Sequence, residues 1–169
     1  MSKIFILLLT LLFSSNVEKH QQSESATTYY FIRHAEKDRS NKNDRDPQLT
    51  EEGQKRAQNW ATILEDVKFD AVYSTPYART MQTARPVATQ QDLRIDTYDP
   101  RDLYNSEFQK ATKGKTVLVV GHSNTTPQFV NAILKNDKYE DIDDSENGAL
   151  FIVKILPDGS ITDHVEYHN

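Results

Sequence analysis

The chain has 169 residues, which fits a single domain, and its 37% hydrophobic and 27% charged residues are compatible with a packed core. Cysteine is absent, which excludes disulfide frameworks, thiolate metal sites and cysteine nucleophiles. The net charge of −5 provides no general attraction to nucleic acid or to anionic membranes, so neither is expected as a partner. Any chemistry must therefore come from His, Asp, Glu, Ser, Arg and Lys side chains.

The beginning of the chain has the form of a secretory signal peptide. Lys3 precedes an apolar run over residues 4–13, which is followed by small polar residues. A run of this length reaches about 15 Å as a helix, roughly half of a bilayer core, so a stable membrane span is not expected. We predict that residues 1–26 form a signal peptide and flexible leader, that residues 27–169 form the folded domain, and that the protein is exported to the periplasm or beyond.

Strand and helix patterns alternate along the rest of the chain. Short apolar and β-branched runs predict strands over residues 28–32, 70–74, 94–98 and 116–120. Apolar residues at helical spacing predict four helices. The first begins after Thr50, and the second covers residues 80–90 with Pro86 inside and with Met81, Ala84, Val87 and Ala88 as its buried face. The third includes Leu103, Phe108 and Ala111, and the fourth covers residues 125–134. Residues 150–156 and 161–167 are expected to form a terminal hairpin across Pro157-Asp158-Gly159. The alternation predicts an α/β fold, a three-layer α/β/α sandwich with a mostly parallel central sheet.

Two histidines and two arginines follow the predicted strands of this sheet. Arg33 and His34 come directly after the first strand, Arg79 lies just beyond the second, and His122 follows the strand over 116–120. Since ligands of parallel sheets gather beyond the carboxyl ends of the strands, we expect these four side chains to share one site.

Such a cluster suits phosphoryl transfer. Guanidinium groups bind phosphate oxygens in pairs and stay charged at any working pH. A neutral imidazole can attack phosphorus and form a phosphohistidine, while a second imidazole, protonated beside the bound anion, stabilises charge on the phosphoryl oxygens. None of these steps needs a metal or another cofactor.

Three motifs in order resemble those of the histidine phosphatase superfamily, whose fold is phosphoglycerate-mutase-like. They are Arg33-His34-Ala35-Glu36, the segment Ser74–Ala84 with Arg79, Gln82 and Thr83, and Gly121-His122-Ser123. The resemblance implies that His34 is the nucleophile and His122 the second catalytic histidine. It also implies that Arg33 and Arg79 hold the phosphate of a small phosphorylated substrate.

The chain departs from the family pattern in two places. Ala35 stands where the family has Gly, and we expect it to be tolerated if its φ is negative. Many relatives use a Glu between the second and third motifs as general acid, and here Asp99 is the predicted acid because it directly follows a short strand, with Asp102 as the alternative.

Three other charged segments call for an interpretation. Residues 137–146 are strongly acidic and are expected to be a solvated loop rather than a calcium site. The basic stretch over residues 33–45 either steers anionic substrates or contacts a second negative group, or it is a mobile surface loop. His164 and His168 lie on a predicted strand without the helical spacing of a metal motif, so no metal site is expected there.

The sequence therefore predicts an exported, metal-independent phosphatase that hydrolyses a phosphomonoester through a phosphohistidine at His34. Export would make phosphorylated sugars of the cell envelope reasonable substrates. Two alternatives remain open: a phosphomutase with the same residues, and a binding protein for a phosphorylated ligand that performs no catalysis. The oligomeric state is left open.

Overall fold

A computed structural model describes residues 25–168 of the chain, so the predicted signal peptide and most of the leader lie outside the described residues. The strands are β1 (Thr27–Arg33), β2 (Ala71–Ser74), β3 (Ile95–Thr97), β4 (Thr116–Gly121), β5 (Ala149–Ile155) and β6 (Ile161–Tyr167). The helices are α1 (Glu51–Ile63), α2 (Ala78–Gln90), α3 (Ser106–Thr112) and α4 (Thr125–Leu134). None of these helices is long and apolar enough to cross a membrane.

The six strands form one sheet in the order β3-β2-β4-β1-β5-β6. The pairs β3·β2, β2·β4 and β4·β1 are parallel, and β5 and β6 extend the sheet as the predicted antiparallel hairpin. The expectation of an α/β fold with a mostly parallel sheet is thereby confirmed.

Side chains that alternate along the strands build a separate core on each face of the sheet. On one face, Ile32 and Leu118 pack with Trp60 of α1 and Val87 of α2. On the other face, a second core joins strand residues to α3 and α4; its largest members include Tyr29, Phe31, Phe108, Phe129 and Ile133. The helices therefore lie in two layers around the sheet, as the alternating sequence pattern predicts.

Helix α2 differs from its prediction at its start and on its buried face. It begins at Ala78 rather than Thr80, because the Asp46 carboxylate accepts a hydrogen bond from the Ala78 amide at 2.8 Å and holds the first turn. The helix continues through Pro86 to Gln90. Arg79 therefore lies within the first turn of the helix, and Thr80 is fully buried where Met81 was expected.

Helix α1 fixes the loop that follows β1. Thr50 caps the helix through the Gly53 amide at 3.0 Å, and the Thr50 amide donates to the Glu36 carbonyl at 2.9 Å. A Cβ at Gly53 would lie 2.2 Å from the same Glu36 carbonyl oxygen, so only glycine lets the helix approach this closely. The side chains of Arg56 and Glu36 add an ion pair of 2.6 Å between helix and loop.

We predict that Gly53→Ala lowers the free energy of unfolding by about 1–3 kcal/mol, the usual cost of overpacking, although the same change at an open helix position stabilises proteins. Urea denaturation of the variant and the parent measures this difference. Gln58→Ala, at an exposed position of the same helix, is the control and should change stability by less than about 0.5 kcal/mol. An equally stable Gly53→Ala protein would contradict the close approach.

Candidate active site

The register of the central strands brings the predicted site residues together. Arg33 at the end of β1 is opposite Gly121 at the end of β4, and Ser74 at the end of β2 is opposite Val120. The chains then leave the sheet side by side, and the amide of His34 donates to the carbonyl of Gly121 at 2.9 Å. The rings of His34 and His122 lie 5.5 Å apart between their centroids, so the two imidazoles share one site as expected.

His34 is buried, with 4% of its surface exposed, and one ring nitrogen is already engaged. Nδ1 lies 2.7 Å from the Ala35 carbonyl oxygen, which can only accept, so Nδ1 carries the proton. Nε2 is then the nitrogen with the free electron pair, as a nucleophile requires.

Thr83 and Ala35 fix the backbone next to His34. The Ala35 amide donates to the Thr83 hydroxyl at 2.9 Å, and that hydroxyl donates to the Arg79 carbonyl at 2.8 Å. Among the described residues, those other than glycine with positive φ are Asp92, Tyr104 and Lys135. Ala35 therefore needs no glycine-like conformation, so the condition under which we expect alanine to be tolerated there is met.

A chain of hydroxyl groups orients His122. Its Nε2 lies 2.9 Å from the Thr75 hydroxyl, which donates to the Thr80 hydroxyl at 2.9 Å, which in turn donates to backbone carbonyls. The direction of this chain places the proton of neutral His122 on Nε2. Nδ1 then faces Arg79, whose Nη2 donates to it at 3.4 Å.

Arg79 carries donors that no protein group satisfies. Its Nε and Nη1 are buried without a hydrogen-bond partner among the described residues, although the Asp46 carboxylate lies 3.5 Å from Nη1 as an ion pair. The guanidinium packs on the ring of Tyr77, with its carbon 4.6 Å from the ring centroid. Since buried donors without partners are costly, this arrangement favours an anion with several acceptor oxygens.

Arg33 makes a different set of contacts from the one that the motif implies. Its guanidinium is 2% exposed, and Nη1 donates to the carbonyls of Asp143, Asp144 and Glu146 at 2.9, 3.2 and 3.0 Å. Nη2 donates to the Asp144 carboxylate at 2.7 Å, and Nε has no partner among the described residues. A phosphate oxygen would therefore compete with the Asp144 carboxylate for Nη2.

The acidic segment over residues 137–146 is not the freely solvated loop that its charge suggested. Its carbonyls surround Arg33, and the Ile142 amide donates to the Ser123 carbonyl at 2.8 Å. The Asp144 side chain remains 67% exposed, since it bridges Arg33 to Arg39 across the outer edge of the site. Charge alone could not reveal this role, because the partners lie more than a hundred residues earlier in the chain.

The side chains converge on a cavity of about 330 Å³ at the carboxyl ends of the parallel strands. Besides the four predicted residues, its lining includes Lys37, Tyr77, Pro100, Ser123, Asn124, Thr125 and Asp144. Arg33 and Lys37 are the members of the basic stretch that line the cavity, which agrees with a role of this stretch toward an anionic ligand. The lining contains the cationic side chains of Arg33, Lys37 and Arg79 and the carboxylate of Asp144, so the cavity is predominantly cationic.

Burial and the neighbouring cations keep both imidazoles neutral. Burial lowers the pKa of His34 to about 3, and Arg33, Arg79 and His122 lower it further. The pKa of His122 is lowered to about 4, again first by burial and then by Arg79, Lys37 and Arg33. A bound phosphate dianion opposes these effects, because its negative charge favours a proton on the neighbouring ring.

The predicted general acid is not supported by the geometry. The Asp99 carboxylate accepts from the Arg101 backbone amide at 2.9 Å and from its guanidinium at 2.7 Å, and these bonds lower the pKa of Asp99 to about 2. A carboxyl group needs a raised pKa to act as a general acid, and Pro100 rather than Asp99 lines the cavity. Asp102, the alternative, is exposed and accepts from the Asn105 side chain at 3.1 Å.

His164 of β6 and His168, which follows this strand, do not line the cavity. His164 and His168 contact the two carboxylate oxygens of Glu166 at 3.2 and 3.1 Å. Within residues 25–168, no group of three or more His, Asp or Glu side chains is arranged to hold a metal ion.

Comparison with known proteins relates this arrangement to one superfamily. The sequence model described as histidine phosphatase superfamily (branch 1) matches residues 29–100, which carry the first two motifs. No functionally curated protein has a sequence similar enough to serve as a relative. That segment is similar to the histidine phosphatase superfamily, and the fold of the chain is phosphoglycerate-mutase-like.

Solved structures with the same fold have several activities. A candidate alpha-ribazole-5'-P phosphatase from Escherichia coli K-12 has a TM-score of 0.67 and 18% identity, over 85% of this chain and 97% of that chain. Phosphoglycerate mutase from Bacillus anthracis has a TM-score of 0.63 and 19% identity, over 86% and 94%. Phosphoserine phosphatase from Entamoeba histolytica, solved with 3-phosphoglyceric acid, has a TM-score of 0.63 and 16% identity, over 85% and 97%. At these identities the likeness establishes the fold.

The lowered pKa of His34 predicts a pH dependence of stability. His34 in the unfolded chain has a pKa near 6.5, so as the pH falls from there toward 3 the unfolded state takes up the proton first. The free energy of unfolding therefore falls with pH in this window, by at most about 1.4 kcal/mol per pH unit for this residue. His34→Gln should flatten the curve by that amount.

Urea denaturation of the parent and of His34→Gln between pH 4 and pH 7 measures this slope. His164→Gln is the matched control, because His164 is largely exposed, and its curve should run parallel to that of the parent. Parallel curves for the parent and His34→Gln would contradict the burial of a neutral imidazole.

Proposed function

We propose that the protein is a phosphatase that hydrolyses a phosphomonoester through a phosphohistidine at His34, by steps that require only protein side chains. The observation that carries this proposal is the pairing of a neutral, oriented imidazole with buried guanidinium donors that have no hydrogen-bond partner within residues 25–168. A nucleophile without an anion site, or an anion site without a nucleophile, would not support it.

In the proposed first half-reaction, Nε2 of His34 attacks phosphorus while Arg79 holds the phosphoryl oxygens. The hydrogen bond from Nδ1 to the Ala35 carbonyl disperses the positive charge that develops on the ring. When the dianion binds, Nδ1 of His122 takes up a proton from solvent and donates to a phosphoryl oxygen instead of accepting from Arg79, and it returns this proton to solvent when inorganic phosphate leaves. Water then attacks the phosphohistidine and releases inorganic phosphate.

The full chain should release phosphate from an aryl phosphate in the presence of a chelator, and His34→Gln should lose this activity at least a thousandfold, because no nucleophile remains. Rapid quenching with radiolabelled substrate should trap label on His34 in the parent. His164→Gln provides the control, since this residue lies away from the site. Activity that survives in His34→Gln would refute the mechanism.

Two alternatives are separated by the products. A phosphomutase, the activity of one structural neighbour, would convert a phosphosugar to its isomer without free phosphate. A binding protein would retain phosphate without turning over any ester. Because the cavity that residues 25–168 form is open and admits water, hydrolysis is the outcome that we expect.

The natural substrate is proposed from the expected compartment. If the leader directs export, the phosphorylated sugars of the cell envelope are the phosphomonoesters that the site would meet. The cationic lining of the cavity supports an anionic substrate of this kind.

The hydroxyl chain behind His122 predicts a positioning role for Thr75. Thr75→Val should lower kcat about tenfold, equivalent to about 1.4 kcal/mol, because His122 loses the bond that fixes its tautomer. KM should change less, since Arg79 remains. Steady-state kinetics with the aryl phosphate test this, and Thr75→Ser, which restores the hydroxyl, should recover the rate. A Ser variant as slow as the Val variant would indicate a packing defect instead.

A further inference from the structure

The proposed reaction needs a proton donor for the leaving oxygen, and the aspartates do not provide one. The carboxylates of Asp99 and Asp102 are engaged outside the cavity. Asp144 does line the cavity, but the guanidinium groups of Arg39 and Arg33 bind its carboxylate and lower its pKa to about 2. A carboxylate that stays ionised in this way cannot protonate an alkoxide.

Lys37 lines the same cavity as His34 and His122, and its backbone is fixed. It forms an antiparallel bridge with Leu49, and the adjacent Asp38 amide donates to the Gln48 carbonyl at 2.8 Å. The side chain is half-buried, and within residues 25–168 no group forms an ion pair with its ammonium or accepts a hydrogen bond from it. The ammonium therefore has all three protons available toward the cavity.

The surroundings of Lys37 favour release of one of these protons. Burial lowers the pKa of Lys37, and the guanidinium groups of Arg79, Arg39 and Arg33 lower it further, while the Asp144 carboxylate acts in the opposite direction. An ammonium beside several cations gives up a proton more readily than one in water.

We propose that Lys37 is the general acid that protonates the leaving-group oxygen, which suits the site to phosphate esters of aliphatic alcohols. The proposal rests on the proposed function, since it assigns a residue to that reaction. Alkoxides are poor leaving groups, so their esters depend on such a donor, whereas aryl esters hardly do.

The proton and the bonds balance over the two half-reactions. In the first, the bond between His34 Nε2 and phosphorus forms, the ester P–O bond breaks, and the alcohol oxygen takes a proton from the Lys37 ammonium. In the second, a water oxygen bonds to phosphorus, the N–P bond breaks, and the neutral Lys37 amine accepts the proton of that water. Alcohol and inorganic phosphate are the products, and both side chains return to their starting states.

The test compares two substrates, p-nitrophenyl phosphate and glycerol 3-phosphate, with the full chain. Lys37→Arg keeps the positive charge but cannot donate a proton, because guanidinium groups stay charged at any working pH. We expect it to lower kcat/KM for glycerol 3-phosphate about 100-fold or more, and for p-nitrophenyl phosphate less than about fivefold. Lys110→Arg, at an exposed position of α3, is the matched control and should leave both values unchanged.

Three results would overturn the assignment. Equal losses on both substrates would make Lys37 a phosphate-binding cation, and unchanged kinetics in Lys37→Arg would show that no proton comes from it. A selective loss on glycerol 3-phosphate in Tyr77→Phe would assign the proton to that phenol, which also lines the cavity. Failure of the proposed function looks different, since the parent would then hydrolyse neither substrate or would not depend on His34.

Discussion

The register of β1 against β4 is the constraint on which the whole site depends. Parallel strands that end opposite each other deliver His34 and His122 to one point, with the His34 amide bonded to the Gly121 carbonyl at 2.9 Å. A Cβ at Gly121 would lie 2.8 Å from the Thr126 hydroxyl, so the end of β4 packs closely against the first turn of α4. A shift of one residue along either strand would turn one imidazole to the opposite face of the sheet. The core residues that alternate along these strands therefore also fix the distance between the two rings.

Burial and the positive charge of the cavity together explain why His34 and His122 are neutral. A buried guanidinium is tolerated when carbonyl dipoles surround it, and the segment over residues 143–146 provides them for Arg33. Arg79 lacks such a shell and is instead supported by the Tyr77 ring and by Asp46 at 3.5 Å. The two guanidinium groups therefore lie in opposite environments, since protein carbonyls surround Arg33, whereas Arg79 keeps buried donors without a partner among the described residues. The field of both keeps the neighbouring imidazoles unprotonated, which leaves a nucleophilic nitrogen available.

Most of the fold and the centre of the site could be predicted from the sequence, because both are encoded locally. The strand and helix patterns are visible within windows of ten residues. Arg33, His34 and His122 lie at the ends of strands or directly after them, and Arg79 lies five residues after β2. The partners of these residues could not be predicted in the same way. The position of Asp99 after a strand predicts that it is the general acid, yet Arg101, two residues later, binds its carboxylate. The contact of Arg33 with Asp144 spans 111 positions, and no local pattern reports such a contact.

The anchoring of Arg33 by the segment over residues 143–146 also bears on how the protein folds and opens. The contacts join residues 110 to 113 positions apart, so they carry a large loop-closure entropy and are expected to form late, after β5 has paired with β1. The segment itself is held by a few hydrogen bonds rather than by a strand, which places it among the parts of a protein that open at low free energy. Its release would uncover Arg33 and loosen the rim of the cavity while the sheet stays intact. Amide hydrogens of the sheet would then exchange slowly with solvent. Those of the segment over residues 143–146, which forms the outer rim of the cavity, would exchange rapidly.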